Sequence, residues 1–417
     1  MAKLFPFKGV LPRREILHEV VSKPFDSYSI RQVESRIKKI PHSFLSIIKP
    51  ELEHGKRTKP DNPDAQKKSR MKYLDFVRSK ILETTADESF YIYKQVKPDF
   101  VYTGLIATIA AEDYQNGNIK IHEQTLQKKE EKLKDYLKVV GINAEPVMFT
   151  YPHKSAIDEL INRLTSAEPY AEFELEDKKH FLWQVSANDI PELEEAFNSV
   201  ERFYVADGHH RSASSVLLSD ELARETGDAS GKAPWAKFMG VFIPDHNLQL
   251  FEFNRLVRNA STPEVSEVIE KLSEDFEVTP LADDLFQPSC LHEFSMYYRN
   301  VWYKLNFKQR HDPLAEEVLD ANILTNYVLR PLFGIQDLRN DDRVGFMSGL
   351  KGVTELKRSV DRAEFDFAFG LFPVSMEQFF KFSDEGLMMP PKTTWFEPKL
   401  LNGLVIYDIY DGENRNS

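Results

Sequence analysis

The sequence of 417 residues contains a single cysteine, Cys290, and this scarcity excludes several kinds of site. One cysteine in a chain cannot form an intramolecular disulfide, a cysteine-based zinc site or a dithiol redox couple. The sequence also lacks any run of eighteen apolar residues, and residues 1–10 lack the apolar stretch of a signal peptide. We therefore expect no membrane span and a cytoplasmic protein.

The sequence also has no excess of basic residues. It contains 54 lysines and arginines against 66 acidic residues, which gives a formal charge of −12. Such a field repels phosphate backbones, so the composition argues against a nucleic-acid partner and leaves small molecules as the expected ligands. The motifs GxGxxG and GxxxxGK[ST] are absent, which removes the two commonest nucleotide-binding loops. What the chain does have is 41% hydrophobic residues, including 30 phenylalanines, enough to build a sizeable core.

The order of the hydrophobic patterns predicts an α+β (mixed α/β) fold, because helical and strand-like runs alternate too irregularly for a doubly wound sheet. A length of 417 residues suits two or three domains. We expect a core domain at 1–255, a second α/β domain at 256–364, and a segment at 365–417 with strand-like sequence that packs back on the core. Within the core domain, the basic and proline-containing stretch 55–72 predicts a mobile loop.

Local patterns predict the individual elements. Strands are expected at 90–96, 102–110, 181–185, 203–206, 238–243 and 248–253, and helices at 73–82, 126–140, 190–200, 212–225 and 263–276.

The densest cluster of chemically capable residues follows the predicted strand at 203–206. Asp207 ends the strand, Gly208 permits a tight turn, and a helix begins close behind it. The free N–H groups of a helix N-terminus attract an anion, and Arg211 adds a fork of donors that matches phosphate oxygens. His209 and His210 add donors able to move protons near neutral pH. The alternative is purely structural, with Asp207 as a helix cap and the basic residues facing water.

Asp207 is the expected ligand of Mg²⁺ or the general base beside this anion site. Glu123 is the candidate second carboxylate, which would deprotonate a hydroxyl acceptor, with His122 and Thr125 as substrate contacts. The alternative makes Thr125 a helix cap and His122 a surface residue. Further candidates for phosphate and substrate contacts are Ser212, Lys392, Thr393 and Asp26.

The turn Asp207-Gly208-His209-His210-Arg211 resembles the signature of a bacterial family known only as domain of unknown function 1015. Further blocks resemble that family in the same order along the chain. They are KPFD at 23–26, PHSFLSIIKPE at 41–51, IKIHEQTL at 119–126, LDANIL at 319–324 and MPPKTTWFEPK at 389–399. The family name carries no activity.

The turn also resembles the phosphate-binding box of the ParB/sulfiredoxin superfamily, which implies a fold of that kind for the core domain. His209 stands where sulfiredoxins have their reactive cysteine, so sulfiredoxin activity is not expected. Free serine kinases of this superfamily carry a DGH-x-R turn, which Asp207–Arg211 matches. That resemblance implies a Mg²⁺-dependent phosphotransferase or phosphatase acting on serine or phosphoserine, with ATP or ADP as co-substrate. The alternative is a ParB-like regulator that binds a nucleotide without turnover. The sequence decides neither the direction of transfer nor the oligomeric state.

Overall fold

The computed structural model describes residues 1–54, 62–259, 263–282, 285–308 and 319–410, apart from the side chains of Asp26, Glu53 and His54. The chain forms two compact units. The first comprises Met1–Leu248 and the stretch from Pro398 onward, and the second comprises Gln249–Glu397. Both contain helices and sheets, which confirms the α+β class.

The strands and helices of the described residues are numbered in chain order. The strands are β1 (Leu4–Phe5), β2 (Gly9–Pro12), β3 (Leu82–Thr84), β4 (Tyr91–Lys97), β5 (Phe100–Ala110), β6 (Ile119–Lys120), β7 (Ile142–Asn143), β8 (Val147–Tyr151), β9 (Ala171–Leu175), β10 (Lys178–Gln184), β11 (Phe203–Asp207), β12 (Lys237–Pro244), β13 (Gln249–Val257), β14 (Phe276–Leu281), β15 (Glu293–Tyr298), β16 (Val301–Phe307), β17 (Val344–Ser348), β18 (Phe367–Gly370), β19 (Thr394–Glu397) and β20 (Ile406–Asp408). The α-helices are α1 (Leu17–Val20), α2 (Ile30–Lys39), α3 (Leu45–Ile48), α4 (Pro63–Arg78), α5 (Ala111–Gln115), α6 (Gln127–Val140), α7 (Ser155–Leu164), α8 (Ile190–Asn198), α9 (His209–Thr226), α10 (Val265–Leu272), α11 (Asp320–Leu324), α12 (Arg330–Phe333), α13 (Gly352–Asp361) and α14 (Met376–Asp384). Short 3₁₀ helices lie at Arg14–Ile16, Phe25–Ser27, Pro50–His54, Pro234–Ala236, Asp245–Asn247 and Gly349–Lys351, and a π-helical turn at Thr325–Leu329.

The first unit is built on a large mixed sheet with the strand order β6-β11-β8-β12-β5-β4-β10-β9, to which β1 adds by pairing with β5. Two neighbouring pairs in this sheet are parallel, β6 with β11 and β8 with β12. All other pairings among the described strands are antiparallel. At each parallel pair, two chain segments therefore leave the sheet at the same edge.

Aromatic and β-branched residues form the sheet because they pack well on a pleated surface. Phe149 on β8 stacks against Phe242 on β12 with ring centroids 4.8 Å apart, and Phe203 on β11 meets Phe242 edge-on at 4.9 Å. These rings lie in the buried core of the sheet. They fix β8, β11 and β12 relative to one another, and these three strands lead to the loops described below.

Helix α9 is held against α6 by charged pairs. Glu221 accepts hydrogen bonds from Lys134 at 2.5 Å and from Lys138 at 2.6 Å.

A small sheet in the order β3-β2-β20-β7 pairs the C-terminal strand β20 with the first unit. That pairing brings the stretch from Pro398 onward back to the first unit, although it follows the whole second unit in sequence.

The second unit has its own antiparallel sheet in the order β14-β16-β15-β18-β13-β17, with β19 pairing to β13. Its core is aromatic, and Phe367 stacks on Tyr298 with ring centroids 3.9 Å apart. The predicted segment 365–417 contributes to both units, because β18 and β19 pair in the second unit and β20 in the first. It also contains the helix α14.

The predicted loop at 55–72 is wrong for most of its length, since residues 63–72 form the first part of α4. Asn62 caps this helix by accepting hydrogen bonds from the backbone N–H of Asp64 at 2.9 Å and of Ala65 at 3.3 Å, and Pro63 occupies the first turn. Both are standard signals of a helix start. Residues 55–61 lie outside the described residues.

The helix predicted at 73–82 is the last part of α4, which ends at Arg78, and Leu82 lies in β3. The other predicted elements of the first unit are present with boundaries shifted by a few residues, including the strand and helix around the DGHHR turn. Within the described residues, no helix combines the length and the apolar composition that crossing a membrane requires.

Candidate functional site

The candidate site lies where the parallel strands β6 and β11 leave the sheet. Phe203 pairs with Ile119 and Tyr204 with Lys120, so the two strands run side by side and end together. His122 and Glu123 follow β6, while Gly208 and His209 follow β11. Chain segments that leave neighbouring parallel strands at one edge meet in the crevice outside it. Topology therefore brings together two groups of residues that lie about 85 positions apart in sequence.

Gly208 makes the turn from β11 into α9. Its φ of +106° lies in the region that favours glycine, and a Cβ added there would lie 3.0 Å from Nε of Arg211. Helix α9 begins at the next residue, His209. The first N–H groups of a helix have no acceptor within the helix, so they and the helix dipole attract a negative charge at this point.

Two histidines form the buried part of the site. His122 is 2% exposed and His209 5% exposed, and their ring centroids lie 4.4 Å apart with the planes nearly perpendicular. His122, Glu123 and His209 each present one ligand atom within 4.8 Å of the others. Nε2 of His209 is buried and has no hydrogen-bond partner among the described residues. Because an unsatisfied buried polar atom is costly, this nitrogen is a candidate atom for contact with a ligand.

Burial keeps both imidazoles neutral. It lowers the pKa of His209 to about 4, although the negative charge of Asp207 acts in the opposite direction. It also lowers the pKa of His122 well below its ordinary value, and the neighbouring His209 adds to this effect. In this state neither group exchanges protons near pH 7, in contrast to the proton-moving role expected for His209. A neutral imidazole is instead suited to bind a metal ion or to hydrogen-bond a substrate.

Asp207 faces two cations. Its Oδ2 accepts a hydrogen bond from Nζ of Lys399 at 3.1 Å and lies 3.7 Å from a guanidinium nitrogen of Arg211. Loss of surrounding water opposes ionisation of this carboxyl, but the charges of Lys399 and Arg211 outweigh that effect and lower its pKa to about 2. The carboxylate is therefore ionised and already neutralised, an arrangement that does not favour Mg²⁺ at the same oxygen.

Arg211 holds the turn against the loop before β8. Its Nη1 donates to the carbonyl of Pro146 at 2.5 Å and to the carbonyl of Glu145 at 3.3 Å, and it pairs with the Glu145 carboxylate at 3.0 Å. Arg211 also lines a mainly apolar cavity of about 190 Å³. In this structure the guanidinium therefore braces the turn, while it was predicted as a phosphate contact.

The remaining predicted residues of this region are also engaged within the chain. Ser212 is fully buried, and its hydroxyl donates to the carbonyl of Gly208 at 3.3 Å. Nε2 of His210 accepts a hydrogen bond from the backbone N–H of Leu126 at 3.2 Å. Thr125 lies in the segment between β6 and α6 and does not cap α6, whose N-cap residue is Leu126.

Three predicted contacts lie elsewhere. Lys392 and Thr393 belong to the second unit, where Nζ of Lys392 lies 5.2 Å from the centre of the Phe253 ring and the Thr393 hydroxyl donates to the Pro390 carbonyl at 2.7 Å. The side chain of Asp26 lies outside the described residues. Their roles in binding remain predictions.

Lys399 is the site residue that the sequence analysis missed. It lies in the same sequence block as Lys392, MPPKTTWFEPK, but the chain passes from the second unit to the first between the two lysines. Nothing local distinguishes one lysine from the other. The block itself was the available signal, and only the tertiary structure shows which of its lysines reaches Asp207.

Comparison with solved structures gives weak likenesses. A free serine kinase variant in complex with AMP is 14% identical over 74% of this chain and 94% of its own, with a TM-score of 0.39. A conserved hypothetical protein from Pyrococcus furiosus is 13% identical over 74% and 97%, with a TM-score of 0.36. C-terminally truncated SbnI from Staphylococcus aureus is 10% identical over 75% and 90%, with a TM-score of 0.40. These values are too low to transfer an activity.

A search of the curated proteins gives no match. The family model described as protein of unknown function (DUF1015) matches residues 4–324, which include β6, β11 and the whole DGHHR turn. The match covers more than half of the chain and confirms the resemblance to this family, although the block at 389–399 lies outside the matched residues. The chain therefore belongs to the DUF1015 family of proteins of unknown function.

Proposed function

We propose that the crevice at the ends of β6 and β11 binds a phosphorylated small molecule, and that the protein transfers a phosphoryl group between a nucleotide and a small hydroxyl compound. The observation that carries this proposal is the buried Nε2 of His209, which has no partner among the described residues and lies beside Glu123 at the start of α9. ATP or ADP as co-substrate, and serine or phosphoserine as the second substrate, are the specific candidates.

The phosphate end of the crevice is the first turn of α9. Backbone N–H groups and the helix dipole favour an anion there, and the dipole acts without any side chain. Lys399 adds a positive charge beside the turn. The Lys399 side chain is 28% exposed, and its ammonium group has three donors, so it can bond a phosphate oxygen while it keeps its hydrogen bond to Asp207. Asp207 thus serves to hold Lys399 and Arg211 in place around the turn.

The acceptor end is formed by Glu123 and the two histidines. In the forward reaction the hydroxyl oxygen forms a bond to the terminal phosphorus and Glu123 takes the hydroxyl proton. The bond from that phosphorus to the rest of the nucleotide breaks, which releases ADP from ATP or AMP from ADP. His209 stays neutral at pH 7 and contacts the reacting group through Nε2. Most of the rate enhancement in such a reaction comes from positioning and from stabilised charge, which a buried and rigid pair of imidazoles can provide.

A divalent cation fits the group of His122, Glu123 and His209 better than it fits Asp207. His122, Glu123 and His209 offer two neutral nitrogens and a carboxylate, a donor set that suits zinc or another transition metal. A cation held there would neutralise charge on the phosphoryl oxygens. Mg²⁺ prefers oxygen ligands and is commonly carried by the substrate's own phosphates, so we assign it to the nucleotide and not to Asp207.

Phosphorus NMR on the full chain tests the proposal. We expect ATP and serine with Mg²⁺ to give a serine-dependent phosphomonoester signal, and phosphoserine with ADP to give the reverse reaction. Glu123→Gln should abolish both. Glu201→Gln, at an exposed position just before β11, is the matched control and should retain full activity. Free phosphate from phosphoserine alone would identify a phosphatase.

Two outcomes would contradict phosphoryl transfer. Nucleotide signals that broaden on addition of protein without any new species would indicate a regulator that binds without turnover. An unchanged spectrum with every substrate pair would exclude the crevice as a nucleotide site. The variant His209→Ala tests binding apart from catalysis. We expect it to need at least tenfold more protein than the parent chain to broaden the ADP signals to the same extent.

A further inference from the structure

A second group of chemically capable side chains lies at the other parallel pair of the sheet. In the pairing of β8 with β12, Tyr151 is the partner of Pro244, and each is the last residue of its strand. His153 and His246 each follow two residues later. Equal spacing from paired strand ends places both histidines at the same edge, and Asp158 reaches them from the first turn of α7.

The three side chains converge on one point. Nε2 of His153 lies 3.0 Å from Oδ2 of Asp158, and Nε2 of His246 lies 3.2 Å from the same oxygen. The two ring centroids are 4.6 Å apart with the planes nearly perpendicular. In a tetrahedral zinc site with bonds of about 2.0–2.1 Å, neighbouring ligand atoms lie about 3.3 Å apart. Both distances to Asp158 are therefore close to the spacing of zinc ligands, and all the ligand atoms of the group lie within 4.8 Å of one another.

A fourth residue fixes the backbone of this group. Oδ1 of Asp245 accepts a hydrogen bond from the backbone N–H of His153 at 3.1 Å and another from the backbone N–H of His246 at 2.8 Å. One carboxylate thus ties together the two loops that carry the histidines.

We propose that His153, Asp158 and His246 bind a divalent transition-metal ion, zinc by its ligand preference. Two imidazoles and one carboxylate leave the fourth tetrahedral position to water, as in catalytic zinc sites. Asp158 and His246 also line a cavity of about 230 Å³, with Asn162 and Asn247 among its other polar residues. A ligand of the bound ion has room in that cavity.

The site is independent of the proposed phosphoryl transfer. Strand β11 runs antiparallel to β8, so the ends of β6 and β11 and the ends of β8 and β12 lie at opposite edges of the sheet. The two groups of residues share no member. Evidence for or against one site therefore does not decide the other.

Metal titration of the full chain tests the proposal, with Zn²⁺ and Co²⁺ alone as probes after removal of metal by a chelator. In the His209→Ala background, which disrupts the other possible cation site, we expect one Co²⁺ bound with the visible absorption of tetrahedral coordination. Adding His246→Ala or Asp158→Asn to that background should weaken the binding at least tenfold. His18→Ala removes another exposed histidine and should change nothing. His209→Ala, which alters the other group, should also leave this site unchanged.

The result that would overturn the proposal is a titration in which His246→Ala and Asp158→Asn bind Co²⁺ with the same stoichiometry and affinity as the parent chain. Six-coordinate Co²⁺ spectra that none of these variants alters would overturn it as well, since they indicate adventitious surface binding. Unfolding temperature supplies a second readout, because a metal that binds only the folded state raises it. We expect Zn²⁺ to raise the unfolding temperature of His209→Ala and not that of the double variant His209→Ala with His246→Ala.

Discussion

Substitution of Gly208 by alanine tests whether the Arg211 guanidinium group constrains the turn at Gly208. Gly208 has a φ of +106°, and a Cβ at this position would meet three atoms of the Arg211 guanidinium group at 3.0–3.1 Å. The guanidinium cannot move freely, because it also bonds the carbonyls of Glu145 and Pro146. Alanine must therefore strain the backbone and displace the arginine.

The expected loss of stability is the sum of the backbone strain and the cost of displacing Arg211. A left-handed conformation costs a residue other than glycine about 1–2 kcal/mol. Displacing the guanidinium weakens charge-assisted hydrogen bonds, each of which contributes about 1.5–3 kcal/mol when intact. Since the arginine can shift by a few tenths of an ångström and keep part of that energy, we expect a total loss of about 2–4 kcal/mol.

Gly227 is a matched control at the opposite end of the same helix. Its φ is +71°, and a Cβ there would find nothing within 4 Å. Gly227→Ala should therefore cost only the backbone strain, about 1–2 kcal/mol. Calorimetry of the two variants compares the shifts in unfolding temperature, and the shift for Gly208→Ala should be about twice as large.

A double-mutant cycle identifies the cause of the difference. In the background Arg211→Met, we expect Gly208→Ala and Gly227→Ala to cost the same, since the guanidinium group is gone. Equal shifts for the two alanine variants in the parent chain would refute the reasoning, because Arg211 would then not constrain the turn. An extra cost that persists without the arginine would refute it too.

Three further perturbations have expected results. Lys399→Met should raise the pKa of Asp207 from about 2 towards its ordinary value, measured by carbon NMR of the labelled carboxyl, and an unchanged pKa would exclude the ion pair. His209 should remain neutral down to about pH 4 in a nitrogen NMR titration. Because the unfolded chain takes up this proton first, stability should fall as the pH drops from about 6.5 towards 4, and His209→Gln should reduce that fall if the assignment is right. Phe367→Ala should cost about 3–5 kcal/mol by calorimetry, since the ring is fully buried on Tyr298, and a loss below 1 kcal/mol would contradict the packing of the second unit.

The turn could be predicted from the sequence because its signals are local. An apolar strand, a glycine and a helix-forming stretch follow one another within a few residues, and the structure has them in that order. The partner of Asp207 could not be predicted in this way. Lys399 lies 192 positions further along the chain, and a charged pair leaves no periodic pattern in sequence.

The basic stretch 55–72 shows how composition can mislead. Its charge and lack of apolar residues predicted a loop, yet α4 begins at Pro63. The start signal Asn62-Pro63 can be read from the local sequence. It outweighs composition because the fixed φ of proline favours the helical backbone in the first turn. Tyr73 and Phe76 then bury one side of the helix, and the lysines cover the other.

Strand direction explains why both candidate sites lie where they do. In an antiparallel pair one strand ends where its neighbour begins, so the loops that follow the two strands leave at opposite edges. Only a parallel pair brings two such loops together, and the described part of the chain has two of these pairs. One carries His122, Glu123 and His209, and the other carries His153 and His246. Strand β6 is only two residues long, and no sequence pattern predicted its pairing with β11. The sequence predicts His122, Glu123 and His209 as site residues but neither His153 nor His246. In both groups the convergence is a consequence of strand direction, which single-sequence patterns do not encode.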